Sequence, residues 1–423
     1  MAHAHVQAPG IPPQASAPSS VTAPAALPEA AQAHGPSASS DRRPAPVPFA
    51  PPALGLHELA DVVAALESGW LSTGPRVAAL EAAFAAYTGA PHAVAVNSGT
   101  AALHLALLAA GVGAGDEVVM PPLTFCATAN AAIHAGATPV FADVQPDTFN
   151  LDPAATEAAI TERTRALLPV HFAGRPADLR ALGGLARARG LILVEDAAHC
   201  VEGVSAAGKI GSVGHFTCFS FYATKNLTTG EGGMLTTADE GAAAFARTAS
   251  LHGMSRNAWT RYAPGGAAQY DVVMAGFKYN MPDILAALGL HQLAAIGARH
   301  ARRTAIWERY DAGLSSLPLG RPAPAASGET HARHLYTILV DEAVAGIGRD
   351  ELQRRLQARG VATSVHFKAL HLFPYYQHRF GLARGMFPVA EAISDTTLSL
   401  PLSAAMRDET VDRVIEAVHH ALR

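Results

Sequence analysis

Between His92 and Thr237, short β-rich runs alternate with helical patterns, and this alternation restricts the possible folds more than any other feature. The runs are 92–97 (HAVAVN), 117–120 (EVVM), 138–143 (TPVFAD), 166–171 (ALLPVH), 191–196 (LILVED), 215–221 (HFTCFSF) and 233–237 (GMLTT). Helical patterns at about 100–112, 125–136, 153–162 and 176–189 fit between them. Strand followed by helix, repeated, predicts an α/β fold with a mostly parallel sheet flanked by helices. Ahead of it, Leu56, Leu59, Val62, Val63 and Leu66 recur at helical spacing. Val77, Leu80, Phe84 and Tyr87 do the same after the turn Ser72-Thr73-Gly74-Pro75. Beyond residue 282 a helical stretch runs to about 317, followed by strands near 334–341 and 361–366 and helices near 347–359 and 406–422. The expected organisation is a disordered Ala/Pro-rich tail over 1–52, a large domain over 53–300 and a smaller C-terminal α+β domain over 301–423.

Composition narrows the functional classes. Hydrophobic residues make up 49% and charged residues 16%, enough apolar material for a large core. The 31 Lys and Arg against 35 Asp and Glu leave no basic excess to displace the counterions of a nucleic acid. No Asp, Glu, Lys or Arg occurs between Glu81 and Asp116, but Pro91 and Asn97 to Thr100 interrupt that stretch. Its longest apolar piece falls short of the roughly 20 residues of a membrane span, so no membrane partner is expected. Three scattered cysteines suit neither a disulfide framework nor a zinc site. A reducing compartment, the cytoplasm, is expected.

In doubly wound sheets ligands sit at the C-terminal ends of the strands, and three motifs lie there. Asn97-Ser98-Gly99-Thr100-Ala101 opens a helix and reads either as a phosphate cup or as a plain capped turn. Asp196 ends a buried apolar strand, where a carboxylate needs a positive partner such as a protonated pyridine nitrogen, or else serves as a structural cap. Lys225 follows an apolar, aromatic strand and precedes the glycine-dense Thr228-Thr229-Gly230-Glu231-Gly232-Gly233; it reads as a Schiff-base lysine or a solvated surface residue. Together, a phosphate cup, a ring-nitrogen Asp and an aldehyde-binding lysine are the three handles of pyridoxal 5'-phosphate.

The order of these motifs resembles the DegT-type family of nucleotide-sugar aminotransferases. The resemblance rests on NSGTAALHLAL (97–107), GAGDEVVMPPLTFCATANAAIHAGATPVFADV (113–144), LILVEDAAHCVEG (191–203), FSFYATKNLTTGEGGML (219–235), GFKYNMPDILAALGLHQL (276–293) and VHFKALHLFPYY (365–376). It implies the fold type I pyridoxal-phosphate architecture. Lys225 would form the internal aldimine and shuttle protons, Asp196 would pair with the pyridine nitrogen, and His199 would bond the ring's 3-hydroxyl. Phe125 would stack on the ring face, and Gly99, Thr100 and Ala101, with Ser220, would hold the phosphate. In the family an Asn of the neighbouring subunit reaches the phosphate; Asn280 matches it, so the resemblance implies a homodimer with shared active sites. Thr73, His366 and His371 are the substrate-side candidates. Relatives that dehydrate carry His where Lys225 stands, so the lysine favours amino transfer. The stretches 251–259 and 276–280 look most like members acting on UDP-linked 4-keto sugars, with dTDP-sugar members close behind. L-Glutamate is the expected donor, in a ping-pong reaction.

Other patterns carry less. Gly203 to Lys209 has the skeleton of a P-loop, but Ile210 stands where a Ser or Thr should hold Mg²⁺. Gly111, Gly113 and Gly115 follow a helix rather than a strand and read as a turn. His331 with His334, and His419 with His420, lack the Cys or carboxylate company of a metal site; His3 and His5 lie in the tail. Another fold type I reaction (lyase, aldolase or decarboxylase) and a non-catalytic cofactor-bound regulator are the competing readings.

Overall fold

The computed structural model describes residues 45–255 and 270–423. The segment 1–44, with His3 and His5, and Arg256, Asn257, Ala258 and Trp259 of the stretch 251–259 lie outside the described residues.

Seven strands form the central sheet: β1 (His92–Val96), β2 (Glu117–Met120), β3 (Thr138–Phe141), β4 (Thr164–Leu167), β5 (Ile192–Asp196), β8 (Phe216–Ser220) and β9 (Gly233–Thr237), while β6 (Val204–Ser205) and β7 (Gly208–Lys209) make a separate small hairpin. The spatial order is β1-β9-β8-β5-β4-β2-β3. From β3 to β8 every pairing is parallel; β9 runs antiparallel between β8 and β1. Both faces are covered, as parallel strands require. Successive residues of a strand enter opposite cores. Ala93 and Ala95 pack with Leu80, Phe84, Leu182 and Ala286, whereas Val94 and Val96 pack with Leu103, Leu107, Ala132 and Ala246. The alternation seen in the sequence is therefore the sheet of the expected α/β fold.

A third core joins β10 (Tyr336–Leu339) and its antiparallel neighbour β11 (Thr397–Leu400) to Trp307, Tyr310, Leu352, Leu356, Val411 and Val414. The expected strand at 361–366 is absent as such: Val361 bridges Val47 and Ser364 bridges Ser399. The strand that does pair with β10 follows the helix Pro388–Thr396 without a loop residue, so no turn signal announces it. Val47, 2% exposed, already packs into this core, and Leu402 N–H donates to Phe49 O. Order therefore starts ahead of residue 53; three or four apolar residues in a Pro-rich segment carry no periodicity to reveal it.

The opening helix, Leu56–Glu67, forms as expected but turns its apolar stripe outward: Leu56, Leu59, Val63 and Leu66 are exposed. Its buried residues are Ala65 and Glu58, the latter held by Gln292 Nε2 (2.8 Å) and Arg299 Nη2 (2.6 Å). The expected long helix divides at Ala295 into Asp283–Ala294 and Ile296–Gly313. No helix among the described residues is long and apolar enough to cross a membrane.

Candidate active site

The C-terminal ends of β1, β5 and β8 open on one cleft of about 600 Å³. Gly99, Thr100, Phe125, Asp196, His199, Ser220, Lys225 and His366 all line it, drawn from segments up to 267 residues apart in sequence. A pleated parallel sheet does this by turning every strand end toward the same edge.

Beyond β1, Ser98 caps the helix Gly99–Ala109, its Oγ accepting the Ala101 N–H at 3.1 Å. That bond uses the Ala101 amide, and Ala101 does not line the cleft. The cleft-side groups of this turn are Gly99 and Thr100, with Ser220 opposite. A side chain at position 99 would place its Cβ 2.9 Å from Ser220 Cβ, so only glycine lets the two turns approach this closely.

Asp196 is buried at the tip of β5. Its Oδ2 accepts from Thr128 Oγ1 (2.8 Å) and its Oδ1 from the Ala198 N–H (3.1 Å). Thr128 Oγ1 also meets Thr124 Oγ1 at 2.8 Å. Burial pushes the carboxyl pKa up, opposed by Thr128, the Ala198 amide and the charge of Lys225. Lys225 sits in the turn after β8, its amine lowered to about 8 by burial, with Asp196 pulling the other way. His199 is held neutral, well below its usual pKa, by burial and by Lys225. Its ring stacks on Phe367 (5.9 Å, 16°) and lies 4.4 Å from His334. Its Nδ1 is buried and has no hydrogen-bond partner among the described residues. Phe125 and Tyr222 line the cleft yet remain 60% and 48% exposed. Two large rings left open beside an orphaned ring nitrogen fit a flat polar heterocycle, with Asp196 for its nitrogen, Lys225 for an aldehyde and the Gly99 turn for a phosphate. These residues fit pyridoxal phosphate.

His366 lines the cleft, its Nδ1 2.9 Å from Ser399 Oγ and its pKa lowered to about 3 by burial and Lys225. His371 does not: it is fully buried against Glu391 (2.9 Å) and Phe387. Thr73 and Asn280 bond each other (2.7 Å) and line a separate cavity of about 370 Å³ beside edge strand β1.

The family model described as DegT/DnrJ/EryC1/StrS aminotransferase matches residues 52–419. The chain belongs to this aminotransferase family. The spore coat polysaccharide biosynthesis protein SpsC of Bacillus subtilis (strain 168) is 50% identical over 379 residues, covering 89% of this chain and 97% of SpsC. Spr1654 from Streptococcus pneumoniae, solved in a PLP form, is 35% identical with a TM-score of 0.82, covering 89% and 98% of the two chains. DesI, solved in the presence of its TDP-sugar product, is 34% identical with a TM-score of 0.78, covering 90% and 95%.

Around the cleft of this aminotransferase lie groups that motif reading left without a role, and His334 lines the cleft itself. Glu195, next to Asp196, accepts from His171 Nε2 (2.9 Å), the Gly214 N–H (2.6 Å) and Thr217 Oγ1 (3.0 Å), while His171 Nδ1 accepts from the Ala177 N–H (2.9 Å). His334 Nδ1 meets Asn226 Oδ1 at 3.1 Å, and Asn226 Nδ2 donates to Glu202 Oε2 at 2.9 Å. His171 ends the expected run 166–171, so the strand-end rule that singled out Asp196 would have found it too.

Proposed function

We propose that this sugar aminotransferase converts a UDP-linked 4-keto sugar to the amino sugar, with L-glutamate as donor and pyridoxal 5'-phosphate as cofactor, in a ping-pong reaction. The observation that carries the reading is the half-buried Lys225, its amine lowered to about 8, sharing a cleft with Asp196 and the Gly99 turn. When bound, pyridoxal phosphate supplies an aldehyde that takes up an amine and a ring that stores the electron pair released at the adjacent carbon. Each residue then has one task. Gly99 and Thr100 present helix N-terminal amides, and with Ser220 they anchor the phosphate. Phe125 covers one ring face, and His199 Nδ1 is the group left to meet a ring oxygen. Asp196 keeps the ring nitrogen protonated. Lys225 Nζ takes the proton from the donor's α-carbon and returns it on the cofactor side; the keto sugar reverses the order.

SpsC, named for polysaccharide biosynthesis, and DesI, solved with a TDP-sugar product, support a nucleotide-linked sugar as substrate. A homodimer agrees with two features: Asn280 lies away from its own chain's cleft, and the helix Leu56–Glu67 carries an exposed apolar stripe.

The test is the visible spectrum of the holoenzyme. L-Glutamate is expected to bleach the yellow band, and a UDP-4-keto sugar to restore it faster than its dTDP counterpart. A band unmoved by glutamate removes glutamate as donor; equal recovery with both sugars removes the UDP assignment.

Only the neutral amine of Lys225 can attack the cofactor aldehyde. Its pKa of about 8 lies below the usual lysine value of 10.5, because burial penalises the ammonium. The rate at which apoenzyme captures pyridoxal phosphate is therefore expected to rise about tenfold per pH unit up to pH 8 and then level off. Stopped-flow absorbance measures this directly. A midpoint near 10.5 would contradict the desolvated, activated lysine.

A further inference from the structure

The helix Ile296–Gly313 carries Arg299 and Arg303 four residues apart on one face, where like charges repel. Each is paired on one side only. Arg299 Nη2 donates to Glu58 Oε1 (2.6 Å), and Arg303 Nη2 donates to Glu202 Oε1. Arg299 Nη1 and Arg303 Nε are buried with no hydrogen-bond partner among the described residues. The Arg303 side chain is only 4% exposed, so its unpaired N–H carries the desolvation penalty of a charged donor. Burial and the neighbouring Arg299 both act to lower the Arg303 pKa.

Both arginines line a small, partly open pocket with room for about 20 Å³. Its other walls are the segment 50–53, the turn 402–404 and the loop that carries Lys225 and Asn226. Thr224 and Lys225 line both this cavity and the active-site cleft, so the cavity lies behind the lysine. Space for roughly one water-sized sphere suits a monatomic ligand better than phosphate, sulfate or a carboxylate.

Several of the oxygens around it already have partners. Ser403 Oγ donates to Pro51 O and accepts from the Ala405 N–H; Ala53 O accepts from Gln292 Nε2; Thr228 Oγ1 donates to Phe221 O and accepts from the Gly230 N–H. A water here would receive two N–H bonds and still need acceptors for its own two hydrogens. A monatomic anion only receives, and it also relieves the repulsion between the two guanidinium groups. We infer that Arg299 and Arg303 form a buried binding site for a monatomic anion of the chloride class, seated directly behind Lys225.

Crystals of the holoenzyme grown with bromide in place of chloride test the site. An anomalous peak is expected within hydrogen-bonding reach of Arg299 Nη1 and Arg303 Nε. No peak there, with only water density between the two groups, overturns the inference. In solution at matched ionic strength, chloride or bromide is expected to raise the holoenzyme Tm over gluconate by on the order of 2 °C. Arg299→Gln should abolish that difference, and an undiminished response in this variant counts against the site. Should the variant not fold, the bromide map of the unaltered enzyme decides alone.

Discussion

Replacing Lys225 with Ala is expected to lower kcat by about 10⁴-fold, the largest loss of any single change to this enzyme. The size follows from the position. Lys225 is half-buried in the turn after β8, with its amine near a pKa of about 8, so it gives and takes a proton close to neutral pH. Among the described residues, no other side chain of the cleft combines a basic amine with that pKa. His199 and His366 are both held neutral by burial, and Asp196 is committed to Thr128 and the Ala198 amide. The variant should still take up pyridoxal phosphate through the Gly99 turn, Asp196 and Phe125, but without the absorption band of the lysine adduct. Methylamine, small enough for the space the side chain leaves, should restore part of the rate. A variant that keeps its rate within tenfold of the parent, or one that methylamine leaves unmoved, would deny Lys225 the proton-carrying role.

The parts of this molecule that could be read in the sequence are those governed by local rules. Alternating runs from His92 to Thr237 gave away the sheet, because strand and helix periodicities differ and every strand there is covered on both faces. Asp196 and Lys225 were visible because a charge at the end of an apolar strand is costly without a partner. Less was visible where the deciding partner is distant. Ala101 sits inside the phosphate-cup motif, yet the Ser98 hydroxyl uses its amide, and no spacing shows which N–H a cap will take. His366 and His371 stand five residues apart in one motif, but only His366 reaches the cleft; Glu391, 20 residues away, draws His371 into the core. The strand Thr397–Leu400 follows a helix with no turn between them, so it carried no boundary signal. Phe49, from a segment read as tail, stacks on His366 and lines the cleft, a contact bridging more than 300 residues. Glu195 pairs with His171, whose backbone N–H donates to Asp196 O, a link that follows only from the chain beyond β4 lying beside β5.

Asp196→Asn is expected to lower kcat by about 10²–10³-fold while leaving the apoenzyme no less stable. The two effects separate because the carboxylate costs the empty protein something. Asp196 is 4% exposed, and burial raises its pKa, so the folded state disfavours its charge relative to the unfolded chain. An amide of the same shape removes that charge. Its oxygen can still accept from the Ala198 N–H, and its NH₂ can donate to Thr128 Oγ1, whose own proton then turns to Thr124. The apoenzyme Tm should therefore hold or rise. The loss falls on the reaction, since a neutral amide cannot keep the pyridine nitrogen protonated, and the ring then stores the electron pair poorly. Thermal melts of the apoenzyme and single-turnover rates with L-glutamate measure the two effects independently. A variant that melts several degrees lower would make Asp196 a structural cap of β5. One that transaminates at the parental rate would show that the ring nitrogen does not depend on this carboxylate.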